Sequence, residues 1–225
     1  MSFFRTAMLV FVKDLKIEIR SKEIITSVAL FALLVVLLCA FGFGLGTLPS
    51  ASTSAGVLWI AVAFSGTLVI SRTYLREREF NVFRALILSP QPRAAIYLGK
   101  MLGVTVFLLI VVLLLMPMIE LFFHAPMLAR LHLLLPIILL AIIGYAAVGT
   151  LFGAMTVRTR LRDILLGAIL YPLIAPTLIT AVQATEVVLR GDGLLAARDY
   201  LQLLAVIDII YVIGSLWLFG PLMED

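Results

Sequence analysis

Arg72 to Lys100 reads RTYLREREFNVFRALILSPQPRAAIYLGK, the longest run of the chain that water rather than lipid must solvate. It holds six of the seventeen basic residues, and the sequence on either side of it is apolar. Within it Leu75, Val82 and Leu86 recur at helical spacing, Phe83 and Ile87 widen that stripe, and Arg76, Glu77, Arg78, Glu79 and Arg84 stay polar. The pattern predicts a short amphipathic helix over Tyr74 to Leu88. Ser89-Pro90-Gln91-Pro92 ends it, because proline lacks a backbone donor and drives the residue before it out of the α region. Pro92 is then placed to open a new helix. A charged loop that only holds two spans apart requires no apolar stripe. The stripe therefore favours a docking helix offered to a partner, with Phe83 and Leu86 as anchors, Arg76, Glu77, Arg78 and Glu79 as rim charges, and Ser89 and Pro90 fixing the helix end.

The rest of the composition sets the solvent. The chain has 225 residues, 63% hydrophobic and 13% charged, with a mean hydropathy of +1.19, far from the balance of a soluble domain. The fold class expected is an all-α integral membrane protein. A span needs roughly 20 apolar residues, and six stretches qualify, at about 24–48, 55–71, 101–123, 131–157, 164–187 and 203–219. The second and sixth are short. The link from Pro49 to Ser54 is polar and chargeless, which makes spans one and two a tight hairpin.

Residues 1–23 place Phe4, Ala7, Met8, Phe11, Leu15 and Ile19 on one helical face, with Arg5, Lys13, Asp14, Lys16 and Arg20 mostly elsewhere. That suits a helix lying in the cytoplasmic headgroup layer, an elbow with no chemistry of its own. Mixed charge ahead of a long apolar run is unlike a cleaved signal peptide, so the first span is expected to stay. Residues 220–225 form a cytoplasmic tail. Counting arginine and lysine beside the spans puts fourteen on one side and three, Arg130, Arg190 and Arg198, on the other. Both termini and the 72–100 loop are therefore expected in the cytoplasm.

Several chemistries are missing from the sequence. Gly99-Lys100 runs into Met101, so no phosphate loop is present and any ATP must be bound by a partner. No HExxH or GxSxG pattern occurs, and the carboxylates and histidines form no acid–base or metal constellation, which disfavours an integral membrane enzyme. The single cysteine, Cys39, sits in an apolar run and can form neither a disulfide framework nor a CxxC pair within the chain. The basic residues flank spans without interleaved exposed aromatics, which disfavours nucleic acid. His124 and His132, with Met127 between them, invite an axial haem ligand. Two interfacial histidines solvating a loop is the stronger reading, since no aromatic platform surrounds them and the only tryptophans are Trp59 and Trp217.

Ionisable residues at membrane depth are functional candidates. Glu120 and Asp208 qualify, and by position each is expected a turn or so from the outer end, level with Gln183 and Glu186. They either snorkel to the outer interface or form a polar patch that holds a second membrane subunit or gates that end. Gly42 with Gly46 and Gly149 with Gly153 are small-xxx-small pairs that let helices approach closely. Pro172 and Pro176, one turn apart in span five, should kink it and free carbonyls for neighbouring helices to satisfy.

Three stretches together resemble a known family. They are Lys13-Asp14-Leu15-Lys16-Ile17-Glu18-Ile19-Arg20-Ser21-Lys22-Glu23 before span one, Leu86-Ile87-Leu88-Ser89-Pro90 in the loop, and Tyr171-Pro172-Leu173-Ile174-Ala175-Pro176 in span five. In order, spacing and span number the chain is similar to CcmB, the haem exporter permease family of cytochrome c maturation. The resemblance implies a homodimeric ABC-2-type permease of the bacterial inner membrane. It would pair with an ATPase subunit, CcmA, which binds ATP and magnesium, and with the membrane subunits CcmC and CcmD. It also implies that ATP hydrolysis drives release of the haem-loaded chaperone CcmE, with haem handled by the partners and no cofactor in this chain. A generic ABC-2 exporter of lipid, drug or polysaccharide shares the architecture and is the alternative.

Overall fold

The computed structural model describes residues 3–43, 50–79, 91–156 and 162–222. Among these the chain is helical with no strand, in the order α1 (Phe3–Ser21), α2 (Glu23–Gly42), α3 (Ala51–Glu79), α4 (Arg93–Phe123), α5 (Leu131–Thr156), α6 (Arg162–Arg190), α7 (Gly193–Ala196) and α8 (Arg198–Leu222). Six of them, α2 to α6 and α8, are long and apolar enough to cross a membrane. Helices are the form that satisfies every backbone polar group within one segment, which the bilayer core demands. The chain is a multi-pass membrane protein.

Four of the six long helices, α3, α4, α6 and α8, extend past the apolar runs expected of them, whereas α2 is helical only to Gly42 of the expected 24–48 and the residues from 44 to 49 lie outside the described ones. Spans two and six, short by hydropathy, belong to helices of 29 and 25 residues. Their polar ends, Ser71 to Glu79 and Arg198 to Tyr200, stay helical because the backbone ladder does not depend on apolar side chains. This corrects the reading of the 72–100 stretch as well. Arg72 to Glu79 is not the start of a separate helix but the continuation of α3, and Arg93 to Lys100 is the first two turns of α4. Pro92 does open that helix, its carbonyl accepting the Ala95 N–H at 2.9 Å. Phe83, Leu86, Ser89 and Pro90 lie outside the described residues.

At the other end of α3, Ser50 caps the helix by accepting the Thr53 N–H at 3.0 Å, so most of the expected polar link is helical.

The core sits where α3, α4, α5 and α6 meet, while α2 and α8 bury the smallest share of their length and lie at the rim. The α3–α5 seam is a ladder of large against small. Gly66 faces Tyr145, Ile70 faces Gly149, and Tyr74 faces Gly153; a Cβ on Gly66 would fall 2.7 Å from the Tyr145 ring. The four-residue steps match on both helices, so the two run parallel with interdigitating rows. The Gly149–Gly153 pair therefore does admit close approach. For Gly42, an added Cβ would meet no atom of the described residues within 4 Å, and Gly46 lies outside them.

Tyrosine hydroxyls lock the helices together. Tyr145 donates to the Ala63 carbonyl at 2.7 Å, Tyr74 to Thr150 at 2.9 Å and Tyr97 to Ala147 at 3.0 Å, while Tyr211 donates to Leu173. Each ring fills apolar space and satisfies its own polar tip on a neighbouring backbone. The Leu173 carbonyl lies three residues before Pro176, in the stretch where the prolines disrupt the α6 ladder. Trp59 Nε1 similarly donates to Thr185 Oγ1 at 2.9 Å.

Candidate functional site

The densest polar construction lies at the end of the bundle that carries the N terminus and most of the basic residues. Here α1 lies against α4. Gly99 makes the approach possible, because a Cβ there would come 2.8 Å from Val10 Cβ and strike the Ala7 carbonyl. Ala7 and Val10 are buried in that contact, whereas Phe4, Met8 and Ile19 are exposed. The single apolar face expected of α1 is thus split: Ala7 and Leu15 turn to the protein, and Phe4, Met8 and Ile19 turn outward.

One turn beyond Val10, Asp14 Oδ2 accepts from Lys100 Nζ at 2.7 Å, with the lysine side chain fully buried and Asp14 10% exposed. Lys13 Nζ stands 2.9 Å from the other carboxylate oxygen. One turn further, Glu18 is buried, and its two oxygens divide their work. Oε1 accepts the Ile25 N–H at 2.9 Å, capping α2, and Oε2 lies 3.3 Å from Arg76 Nη1. The Arg76 guanidinium also reaches Ser21 Oγ at 3.0 Å and Glu23 Oε2 at 3.3 Å. Between α1 and α2, Lys22 turns the chain in the left-handed conformation, φ 54°. Thr6 Oγ1 donates to Gln91 Oε1 at 2.7 Å, and Arg93 Nη1 donates to the Gly220 carbonyl at 3.1 Å.

The chain enters and leaves the 80–90 stretch through Glu79 and Gln91. Of the ion pairs just described, Glu18–Arg76 ties α1 to α3 and Asp14–Lys100 ties α1 to α4, each on the helix that leads to one of these two exits. These two pairs are largely shielded from water, so each is worth more than a surface pair, and breaking one strands a buried charge. The cluster holds no nucleophile beside a base. Its chemistry is mechanical: a rigid frame around the roots of a loop.

The sequence reading assigned Arg76 to the rim of a docking helix, and the structure turns its guanidinium to α1 instead. Glu77, Arg78 and Glu79 continue the α3 backbone. Reasoning from sequence missed Asp14, Glu18 and Glu23 as members. The available signal was the i,i+4 spacing of two acids, Asp14 and Glu18, on an otherwise basic helix, with no acid within four residues of Lys100 in the sequence.

The outer polar candidates do not form one patch. Glu120 Oε2 accepts the Leu128 N–H at 2.7 Å and so fixes the turn between α4 and α5. Glu186 pairs with Arg190 on the surface of α6. Gln183 lies one turn before Glu186 on the same helix. Asp208 is deeper than its expected position, ten residues into α8 and about 15 Å from its start. His124 and His132 are exposed while Met127 is wholly buried in the core, so the three do not face a common space. Among the described residues no group of three His, Cys, Asp or Glu side chains stands together as for a metal ion.

Comparison with known proteins adds an independent observation. The family model for CcmB protein matches residues 5–218, nearly the whole chain. The chain is also similar to heme exporter protein B of Pseudomonas aeruginosa, at 27% identity over 180 residues, covering 76% of each chain.

Proposed function

Because the chain belongs to the CcmB family, we propose that it is the membrane permease subunit of a haem-exporting ABC transporter for cytochrome c biogenesis. The single observation that carries this reading is the family match across residues 5–218, which takes in α1, the loop and all six spans. In this reading the subunit sits in the bacterial inner membrane with both termini in the cytoplasm and is itself non-catalytic. It forms a homodimer, takes energy from the ATPase CcmA, joins CcmC and CcmD, and promotes release of haem-loaded CcmE. ATP and magnesium belong to the ATPase and haem to the partner subunits.

The frame of α1, α3 and α4 supports a force-transmitting role. A segment docked on an ATPase passes its displacement inward only if its two roots are held, and Asp14–Lys100 and Glu18–Arg76 hold them. Phe83 and Leu86 supply the anchors, with Glu77, Arg78 and Glu79 around them and Ser89 and Pro90 setting the angle of the exit into α4. A large buried side chain contributes about 1.5 to 3 kcal/mol, whereas an exposed ion pair contributes about 1 kcal/mol or less.

The test is purification of the tagged chain in mild detergent, asking whether the CcmA, CcmC and CcmE homologues accompany it. Phe83→Ala should lose the ATPase. Pro90→Ala should keep some ATPase yet impair cytochrome c maturation. A Phe83→Ala chain that retains both the complex and wild-type cytochrome assembly overturns the docking role. Co-purification of an unrelated ATPase instead points to a different cargo.

A further inference from the structure

Asp208 is the one Asp, Glu, Lys, Arg or His in the middle of any of the six long helices. It is 6% exposed, and neither carboxyl oxygen has a hydrogen-bond partner among the described residues. It faces inward, against α5: a Cβ added at Gly144 would fall onto Oδ1 and lie 3.6 Å from Thr177 Cγ2 of α6. Thr177 is wholly buried, and its hydroxyl likewise has no partner among the described residues. Asp208, Gly144 and Thr177 all lie more than about 14 Å from either end of their helices, at 1.5 Å per residue. Three helices therefore bring a carboxyl, a threonine side chain and a backbone bared by glycine to one point at mid-depth.

The neighbours supply no compensating charge. On α5 the only charged or titratable groups besides Tyr145 are at its start, namely His132. On α6, Arg162, Asp163, Glu186 and Arg190 sit in the terminal turns, and the Tyr171 hydroxyl accepts from Thr67 on α3. On α4, Arg93 and Lys100 are at the basic end, where Lys100 is paired with Asp14, and Glu120 is at the other. The short α7 carries none. On α8 itself, Arg198 and Asp199 are at the start, and Tyr211 donates to Leu173. A lone carboxylate in such surroundings is strongly disfavoured, so a positive charge must accompany it. Mid-depth sites where helix ladders are interrupted are suited to small cations, and α6 carries Pro172 and Pro176 beside Thr177.

We propose that Asp208, Thr177 and the α5 backbone at Gly144 form an intramembrane site for a monovalent cation, either a proton on the carboxyl or an alkali-metal ion beside it. The seam between α8 and α5 is closed when the site is filled. Emptying it leaves a bare carboxylate that draws water and parts α8 from α5, which links occupancy to the position of a rim helix.

The purified full chain in lipid nanodiscs, treated with dicyclohexylcarbodiimide, tests this. The lipophilic reagent adds to protonated carboxyls in apolar surroundings, and peptide mass locates the adduct. An adduct at Asp208 that declines as the pH is raised, and is absent from Asp208→Asn, is expected. Suppression by sodium or potassium chloride at fixed pH, against choline chloride, assigns an alkali-metal ion; dependence on pH alone assigns a proton. The melting temperature provides a second measurement, since Asp208→Asn removes whatever pH or alkali-metal dependence the site gives the wild type. Absence of the adduct at every pH, together with an Asp208→Asn melting profile that matches the wild type in all these media, overturns the proposal.

Discussion

Glu18 carries two obligations with one side chain, and that makes it the residue most exposed to substitution in α1. Its carboxylate caps the start of α2 through Ile25 N–H and neutralises Arg76 in a place water barely reaches. Glu18→Ala removes both and leaves a donor and a guanidinium short of partners, a loss of about 1 to 3 kcal/mol. Arg76→Ala should also destabilise, because it strands the buried carboxylate. The two losses are not independent, so the double variant should fall short of their sum by about 0.5 kcal/mol or more. Thermal melting of the four proteins in one detergent checks this, and strict additivity would show that the pair contributes nothing as a pair. Lys22 offers a cleaner case of backbone strain. At φ 54° its Cβ crowds the backbone, so Lys22→Gly should be tolerated, whereas Lys22→Val should cost about 1 to 2 kcal/mol in the same melting assay. The i,i+4 spacing of Asp14 and Glu18 hinted that the acids of α1 have work to do, but not what work. Periodicity assigned α1 to the membrane surface because its apolar residues share a face and its charges are mostly basic, and nothing local marks that Glu18 meets a cation 58 residues away.

At the scale of the element, the steps of four in α3 and α5 decide how closely two spans can lie. Gly153→Val puts branched carbon where the Tyr74 ring already sits, and the overpacking should cost about 1 to 3 kcal/mol. Tyr74→Ala in the same chain should restore part of that stability by clearing the space, even though the single Tyr74→Ala loses the hydrogen bond to the Thr150 carbonyl. If the double variant melts below both single ones, the ladder of large against small is not what sets the seam. The Gly149–Gly153 pair was legible beforehand because small residues one turn apart have few other uses in a span. At Gly42 the same spacing finds no neighbour among the described residues, and its partner Gly46 lies outside them. Helix existence and number were likewise legible from apolar runs, but helix ends were not: hydropathy stops at the last apolar residue, while the backbone ladder of α3 continues to Glu79.

For the molecule as a whole, the distribution of charge and of aromatic side chains makes two separate statements. The exposed His124 and His132 stand apart from the buried Met127, and the aromatic residues of the interior are engaged in helix packing, as Tyr97 is with Phe219 at 5.2 Å between ring centroids. The chain purified alone should therefore show no Soret band, and a stoichiometric band lost in His124→Ala or His132→Ala would make it a haem-binding subunit in its own right. The other statement concerns direction. Two crossings, α2 and α3, bring the chain at Glu79 back to the side of α1, and five bring Glu186–Arg190 at the end of α6 to the opposite side. Fourteen arginines and lysines lie beside the first side and three beside the second. Positive residues resist translocation, so the first side is expected to be cytoplasmic. In a Cys39→Ser background, a membrane-impermeant thiol reagent added to intact spheroplasts should label Arg190→Cys and spare Arg84→Cys until the membrane is opened. Position 190 is well chosen because its side chain is exposed and its ion pair with Glu186 is a surface one that the substitution gives up at little cost. Strong labelling at position 84 with none at 190 would turn the bundle over. It would also place the framed loop on the side where no ATPase operates, removing the physical basis for the coupling role.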